Sequence, residues 1–249
     1  MTPLDTARDI LASARRLVVF TGAGVSADSG VPTFRGASFW GKYDPMQLAS
    51  PQGFAADPQL VYDWYNWRRG QLATVQPNPA HHAIATLQSR NGATVITQNV
   101  DGLHERVAPP GATVLRLHGT IAADRCANPY CDYTEDIDPA HLPPLRPCPR
   151  CADRLEGREV PPYLRPAVVW FGESLDPIVW RAAERACESA DAILVVGTSG
   201  EVFPAAKLVP LAARNGAKVL LVNLEPGPFD ARTDAALHGR AADILPQLF

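Results

Sequence analysis

The chain has 249 residues, of which 46% are hydrophobic and 20% charged, with a formal net charge of −3. That length buries a sizeable core and accommodates one large domain or a large and a small one. The charge balance weighs against nucleic-acid binding, which calls for a basic stripe or patch, and no apolar run is long enough to span a membrane.

The first twenty residues read as a short amphipathic helix running into the strand Leu17-Val18-Val19-Phe20. They lack the basic, apolar and small-residue sections of a secretory signal, so the expected location is cytoplasmic. Next comes "GAGVSADSGVPTFRG" over residues 22–36. Glycine this dense after a strand marks backbone that approaches something closely, as a phosphate loop does. Neither standard template fits. Gly41-Lys42 is followed by Tyr43, not Ser or Thr, and the dinucleotide fingerprint would need glycine where Ala27 stands. A tight turn and a phosphate site therefore both remain open, with Gly22, Ala23 and Gly24 as the close-approach residues and Phe34 and Arg35 as a ring and a charge at the end.

Residues 37–77 break the rhythm with tryptophans, prolines and a helical pattern in "PQLVYDWYNWRRGQL". Helical patterns at 79–90, 176–190 and 204–215 then alternate with apolar runs at 94–96, 113–117, 167–171, 192–197 and 218–223. Continuous apolar strands separated by helices predict a Rossmann-like α/β core, a parallel sheet flanked by helices. Two polar clusters fall at strand ends. One is "TQNVDGLH" at 97–104, with Gln98, Asn99 and Asp101, which also suits plain turn capping. The other is His118, a general-base candidate by its near-neutral titration.

Residues 122–165 hold eight prolines and four of the five cysteines. Cys126-x4-Cys131-x16-Cys148-x2-Cys151 is two thiolate pairs separated by a loop, the pattern of a tetrahedral zinc site. With four protein ligands that zinc is structural. Cys187 reads as a buried inert thiol. The expected organisation is a Rossmann-like domain of 1–36, 78–121 and 166–249, with 37–77 and 122–165 packed together as a small second lobe.

Together these motifs resemble the sirtuins, the NAD-dependent protein lysine deacylases. The matching pieces, in the family's order, are "GAGVSADSGVPTFRG", "TQNVDGLH", "LHG", the four cysteines, "VVWFGE" (168–173), "GTSGEVFPAA" (197–206) and "VNLE" (222–225). Most sirtuins carry Asp where this chain has Thr33, and the first cysteine pair is spaced by four instead of two. The resemblance implies that Gly22, Ala23 and Gly24 approach the NAD phosphates, and that Phe34 and Arg35 lie near the ribose and nicotinamide. Gln98, Asn99 and Asp101 hold the nicotinamide side, and Gly197, Thr198, Ser199, Asn223 and Ala241 the phosphate, ribose and adenine side. Val169, Phe171 and Gly172 pair with an acyl-lysine peptide as an added strand.

The implied reaction consumes NAD. The acyl-lysine amide oxygen attacks the ribose C1′ and nicotinamide leaves. His118, with Asn99 as the second catalytic residue, serves as base for a ribose hydroxyl, and water completes release of lysine and O-acyl-ADP-ribose. In the subgroup that removes acidic acyl groups, a Tyr-x-x-Arg pair binds the distal carboxylate. Here Tyr65 and Arg68 match it, three apart on one helical face, and Thr33 agrees with that subgroup. Helical geometry alone leaves Arg68 and Arg69 equal, and a solvated basic helix end is the plain alternative; the family pattern selects Arg68, and substitution of Arg69 is expected to do little. Two alternatives stay open at this point: an NAD-dependent ADP-ribosyltransferase, and a non-catalytic NAD- or ADP-ribose-sensing module. The expected partners are acyl-lysine proteins, with no nucleic acid and no membrane, and no oligomeric state is implied.

Overall fold

The computed structural model describes residues 2–33, 43–152 and 162–249. Phe34 and Arg35 lie outside the described residues. Like the N-terminal helix, which opens on Thr2-Pro3, five further helices start on the same two-residue signal, a short polar residue followed by proline. These are Asp44-Pro45, Ser50-Pro51, Asp57-Pro58, Asn78-Pro79 and Asp176-Pro177, and in each the polar side chain accepts a backbone N–H of the first turn. Proline at the first helical position gives up an N–H that would have had no helical partner. The helices so begun are α2 (Pro45–Leu48), α3 (Pro51–Ala56), α4 (Pro58–Thr74), α5 (Pro79–Asn91) and α8 (Pro177–Ser189). The N-terminal helix α1 (Pro3–Ser13) carries a full capping box between Thr2 and Asp5.

The large sheet is parallel throughout. Its strands β1 (Leu17–Thr21), β2 (Thr94–Thr97), β3 (Val114–Arg116), β7 (Ala192–Val196), β8 (Lys218–Asn223) and β9 (Ala235–His238) run in the order β3-β2-β1-β7-β8-β9. This is the doubly wound arrangement, with its switch point between β1 and β7. Neighbouring residues of β1 enter opposite cores. Val19 joins Leu11, Ile84 and Leu194 on one face, while Val18 and Phe20 join Ile193, Cys187 and Leu208 on the other. Burial on both faces is why β1 and β7 read as unbroken apolar runs.

A second, antiparallel sheet holds β4 (Gly119–Cys126), β5 (Thr134–Asp136) and β6 (Leu164–Val168) in the order β5-β4-β6. Here the structure corrects the sequence reading. The apolar run at 167–171 is not a parallel core strand; the strand is Leu164–Val168, and it pairs with β4. Strands β4, β5 and β9 carry no clear apolar period, since β4 includes Asp124 and Arg125, β5 is Thr-Glu-Asp, and β9 is Ala-Ala-Leu-His. A third apolar core joins α2 to α4 with Val100, Ile121, Val168 and Trp170.

Arg69 is the second correction. Far from solvated, its side chain is 2% exposed and meets the fully buried Asp124 at 2.6 Å. Its other donors reach the carbonyls of Ile121 at 2.7 Å and Ala123 at 3.2 Å. Asp124 also accepts from the Tyr62 hydroxyl at 2.5 Å. A guanidinium fork thus bolts α4 onto β4 from inside.

Candidate active site

Six parallel strands deliver their carboxyl ends to one cavity of about 860 Å³, within the roughly 300–1,000 Å³ range of cofactor and small-molecule sites. Gly22, Ala23 and Gly24 follow β1, Gln98 and Asn99 follow β2, and His118 follows β3. Gly197, Thr198 and Ser199 follow β7, Asn223 ends β8, and Ala241 opens α10 (Ala241–Ile244) after β9. From the other core come Tyr65 and Arg68 on α4, with Val169, Phe171 and Gly172 just after β6. Asp101 does not line the cavity.

The glycines approach protein before they approach any ligand. A Cβ on Gly22 would sit 2.8 Å from the Gly197 carbonyl oxygen, and one on Gly24 would sit 2.7 Å from the Gly197 Cα. Gly197 itself has φ +60°, a region that side chains other than glycine's rarely adopt. The Gly22 and Gly24 N–H groups donate to Val196 O at 3.0 Å and Gly197 O at 2.8 Å. So these two N–H groups are not held in reserve for phosphate; the glycines serve to seat the loop against the end of β7.

Asn99 is buried and oriented by a hydroxyl. Ser26 Oγ donates to Asp101 Oδ2 at 2.8 Å and accepts from Asn99 Nδ2 at 3.1 Å, which leaves the Asn99 side-chain oxygen without a donor among the described residues. Asp101 also caps α6 (Leu103–Val107) through Leu103 N, so turn capping and a place behind the site are both true of it. Burial raises its carboxyl above the usual range. Behind Ser26 lie two imidazoles with ring centroids 4.9 Å apart. Burial holds His81 down to about 4 and His104 down to about 3, so both are neutral polar fillers. His104 ends the "TQNVDGLH" motif without having been given a role, and His81 went unmarked because it occupies an ordinary helical position.

His118 Nδ1 lies 3.0 Å from the Gln98 carbonyl oxygen. A carbonyl only accepts, so Nδ1 carries the proton and Nε2 is the basic nitrogen. Burial lowers the His118 pKa, and the bond to Gln98 opposes that. Gln98 donates in turn to Thr198 Oγ1 at 2.9 Å, which couples the β2 and β7 ends. At the far rim Arg240 pairs with Asp28 at 2.7 Å, a contact the sequence did not signal because 212 positions separate them.

The peptide-pairing expectation narrows. Val169 N–H donates to His118 O, Phe171 N–H to Ala49 O, and Trp170 N–H to Glu173 Oε2. An added strand is left with Gly172 and the carbonyls of Val169 and Phe171 among the described residues of this stretch.

The four cysteine Sγ atoms all lie within 4.8 Å of one another, with Cys126 and Cys151 at 3.6 Å and Cys131 and Cys148 at 3.9 Å. Zinc–sulfur bonds of about 2.3 Å set tetrahedral edges of about 3.8 Å, so Cys126, Cys131, Cys148 and Cys151 fit a zinc ion and form no disulfide. Cys148→Ala is expected to lower zinc content and melting temperature together, because a structural metal is part of folding; metal analysis alongside a thermal melt checks this, and a fully active, zinc-free wild type would refute it.

A doubly wound sheet with a cavity across its switch point, beside a four-cysteine module, is the architecture at hand, and comparisons identify its kin. The Sir2 family model matches residues 22–204, and the chain belongs to the Sir2 family. It is 46% identical over 242 residues to NAD-dependent protein deacylase 2 of Pyrobaculum aerophilum, covering 96% of this chain and 92% of that one. Among solved structures, a Sir2 homolog–NAD complex superposes with a TM-score of 0.87 at 40% identity, over 98% of this chain and 91% of the other. A Sir2 bound to an acetylated peptide gives 0.81 at 27% identity, over 96% and 94%. No helix among the described residues is long and apolar enough to cross a membrane.

Proposed function

We propose that the protein is an NAD-dependent protein lysine deacylase that accepts acyl groups ending in a carboxylate, succinyl- and malonyl-lysine, as well as acetyl-lysine. The observation that carries this is the meeting of His118, the glycine-lined strand ends and the Tyr65–Arg68 pair in one cavity. Curated relatives with the NAD-dependent deacylase name and an NAD complex of the same fold support the first half. The Tyr65–Arg68 pair supports the second.

NAD supplies an electrophilic ribose carbon and a leaving nicotinamide. The residues that would hold it are Gly22, Ala23 and Gly24 at the phosphates, with Gly197, Thr198, Ser199, Asn223 and Ala241 toward ribose and adenine. Gln98 and Asn99 face the nicotinamide side, with Asp101 fixing Asn99 through Ser26. Phe34 and Arg35 keep the role that the family resemblance gives them. His118 Nε2 takes the proton of a ribose hydroxyl, and its Nδ1–H stays on Gln98 O throughout. Burial keeps the imidazole neutral and ready to accept. Val169, Phe171 and Gly172 seat the peptide backbone, and an exposed Phe171 ring flanks it.

Arg68 is 8% exposed and stacks its guanidinium 5.1 Å from the Trp64 ring and 5.9 Å from that of Tyr65. A planar, permanently charged fork in a largely dry wall suits a carboxylate far better than a methyl. We read 37–77 with 122–165 as the small lobe, its limits falling inside β4 and β6, and the reaction as cytoplasmic, on protein substrates and without nucleic acid or membrane.

The test is incubation with NAD and matched acetyl- and succinyl-lysine peptides, with nicotinamide and deacylated peptide measured by mass spectrometry. Arg68→Met removes a charge-assisted contact worth about 1.5–3 kcal/mol, about 10- to 150-fold in kcat/KM. Desuccinylation is expected to fall by that factor, mainly through KM, while deacetylation persists. Equal losses on both peptides would assign Arg68 to structure instead.

A further inference from the structure

The wall at the acyl end contains one hydroxyl whose bonding is half complete. Tyr65 is 2% exposed, and its Oη accepts the indole Nε1–H of Trp170 at 2.9 Å. Among the described residues its own O–H proton reaches no acceptor, although a phenol this deeply buried ordinarily finds its partners. An indole N–H can only donate. The bond therefore biases the phenol: one of its two lone pairs is filled, and the O–H proton is left without an acceptor and available to a group that enters the cavity Tyr65 lines. Accepting one hydrogen bond also polarises the O–H toward giving another.

Trp170 is itself held from several directions. The Arg165 guanidinium lies 3.3 Å over its ring centroid, and Phe54 packs at 5.4 Å. Arg165, 3% exposed, donates to Glu173 at 2.6 and 3.0 Å and to Val168 O at 2.6 Å. Glu173 closes the loop by accepting Trp170 N–H at 2.8 Å. A buried charge placed with this many partners fixes one geometry for the indole.

We infer that Trp170, locked by the Arg165–Glu173 clamp, is a positioning residue for acyl selectivity: acting through Tyr65, it presents the phenol as a hydrogen-bond donor to an acyl group that carries an acceptor at its far end. This rests on the reading of Tyr65 and Arg68 as the carboxylate site.

The experiment measures kcat/KM on matched succinyl- and acetyl-lysine peptides and follows their ratio, in which effects on NAD, peptide seating and His118 cancel. Tyr65→Phe and Trp170→Phe are each expected to lower the succinyl-to-acetyl ratio about 3- to 10-fold, and the double variant no further than either single one. Arg165→Lys keeps a charge toward Glu173 but loses the flat fork that stacks on the indole. It is expected to lower the ratio in the same direction, with no added effect in a Tyr65→Phe background, and it serves if Trp170→Phe does not fold. A ratio lowered by Tyr65→Phe but untouched by Trp170→Phe and Arg165→Lys overturns the inference, as do effects that multiply in the double variants. A ratio that Arg68→Met and Tyr65→Phe both leave at the wild-type value overturns the carboxylate reading itself, and the inference with it.

Discussion

His118→Tyr is expected to abolish NAD-dependent deacylation, a loss of about 10²- to 10⁴-fold from removal of a general base alone, while the variant remains folded and keeps its zinc. Among the described residues the geometry leaves no substitute nearby. Gln98 offers His118 a carbonyl and spends its amide on Thr198, and His104 is committed to Thr21 at 3.0 Å. The pH dependence follows from the same contacts. A base works in its neutral form, and burial lowers the His118 pKa below the ordinary histidine value near 6.5. The kcat/KM is therefore expected to hold through neutrality and to fall with acid only below that value, a limb absent from any residual activity of the variant. Nicotinamide release measured across pH, with circular dichroism and metal content as controls, checks both parts. Near-normal turnover by His118→Tyr would remove the residue from the mechanism.

Arg69→Met, one position from the proposed specificity residue, is expected to cost stability in place of selectivity. The substitution leaves the fully buried Asp124 facing Tyr62 and Arg146 without its closest cation. Breaking one side of a buried pair costs about 3–5 kcal/mol, and those two remaining partners place this case at the lower end. At about 2–4 °C per kcal/mol for a chain of this size, the melting temperature should drop by roughly 6–12 °C. The succinyl-to-acetyl ratio should stay at the wild-type value. A selective loss of desuccinylation in this variant, with an unchanged melt, would mean that Arg69 is the carboxylate ligand after all.

The contrast between those two arginines shows what could be read from the chain. Adjacent helical residues point about 100° apart, and which direction is the core depends on what packs there. That partner is β4, whose "GTIAADRC" hides its strand character behind an Asp and an Arg that are neutralised only in three dimensions. The strand-end residues were legible because a doubly wound sheet brings the carboxyl ends of its strands together wherever they occur in sequence. Gln98, His118, Thr198 and Asn223 meet for that reason. Asp101 sits within the same motif yet turns behind Ser26, since side-chain direction in a loop has no period to follow. Glu173 and Arg165 were invisible as a pair for a similar cause: one reads as the end of a motif, the other as a charge in an apolar strand.

The contact among Gly22, Gly24 and Gly197 has a consequence for how this site can be altered. Its floor is backbone against backbone, closed by two N–H···O bonds before a ligand arrives, so binding there demands little ordering of the loop. It also means that the floor is a fixed part, the same for any variant that still folds. Laboratory diversification aimed at these three positions would mostly sample collapsed or misassembled loops. Useful variation has to enter at the walls, through residues such as Thr33, Tyr65, Leu224 and Arg240, whose side chains border the cavity without holding its base together. The cavity is thus divided into a part that cannot be edited and a rim that can.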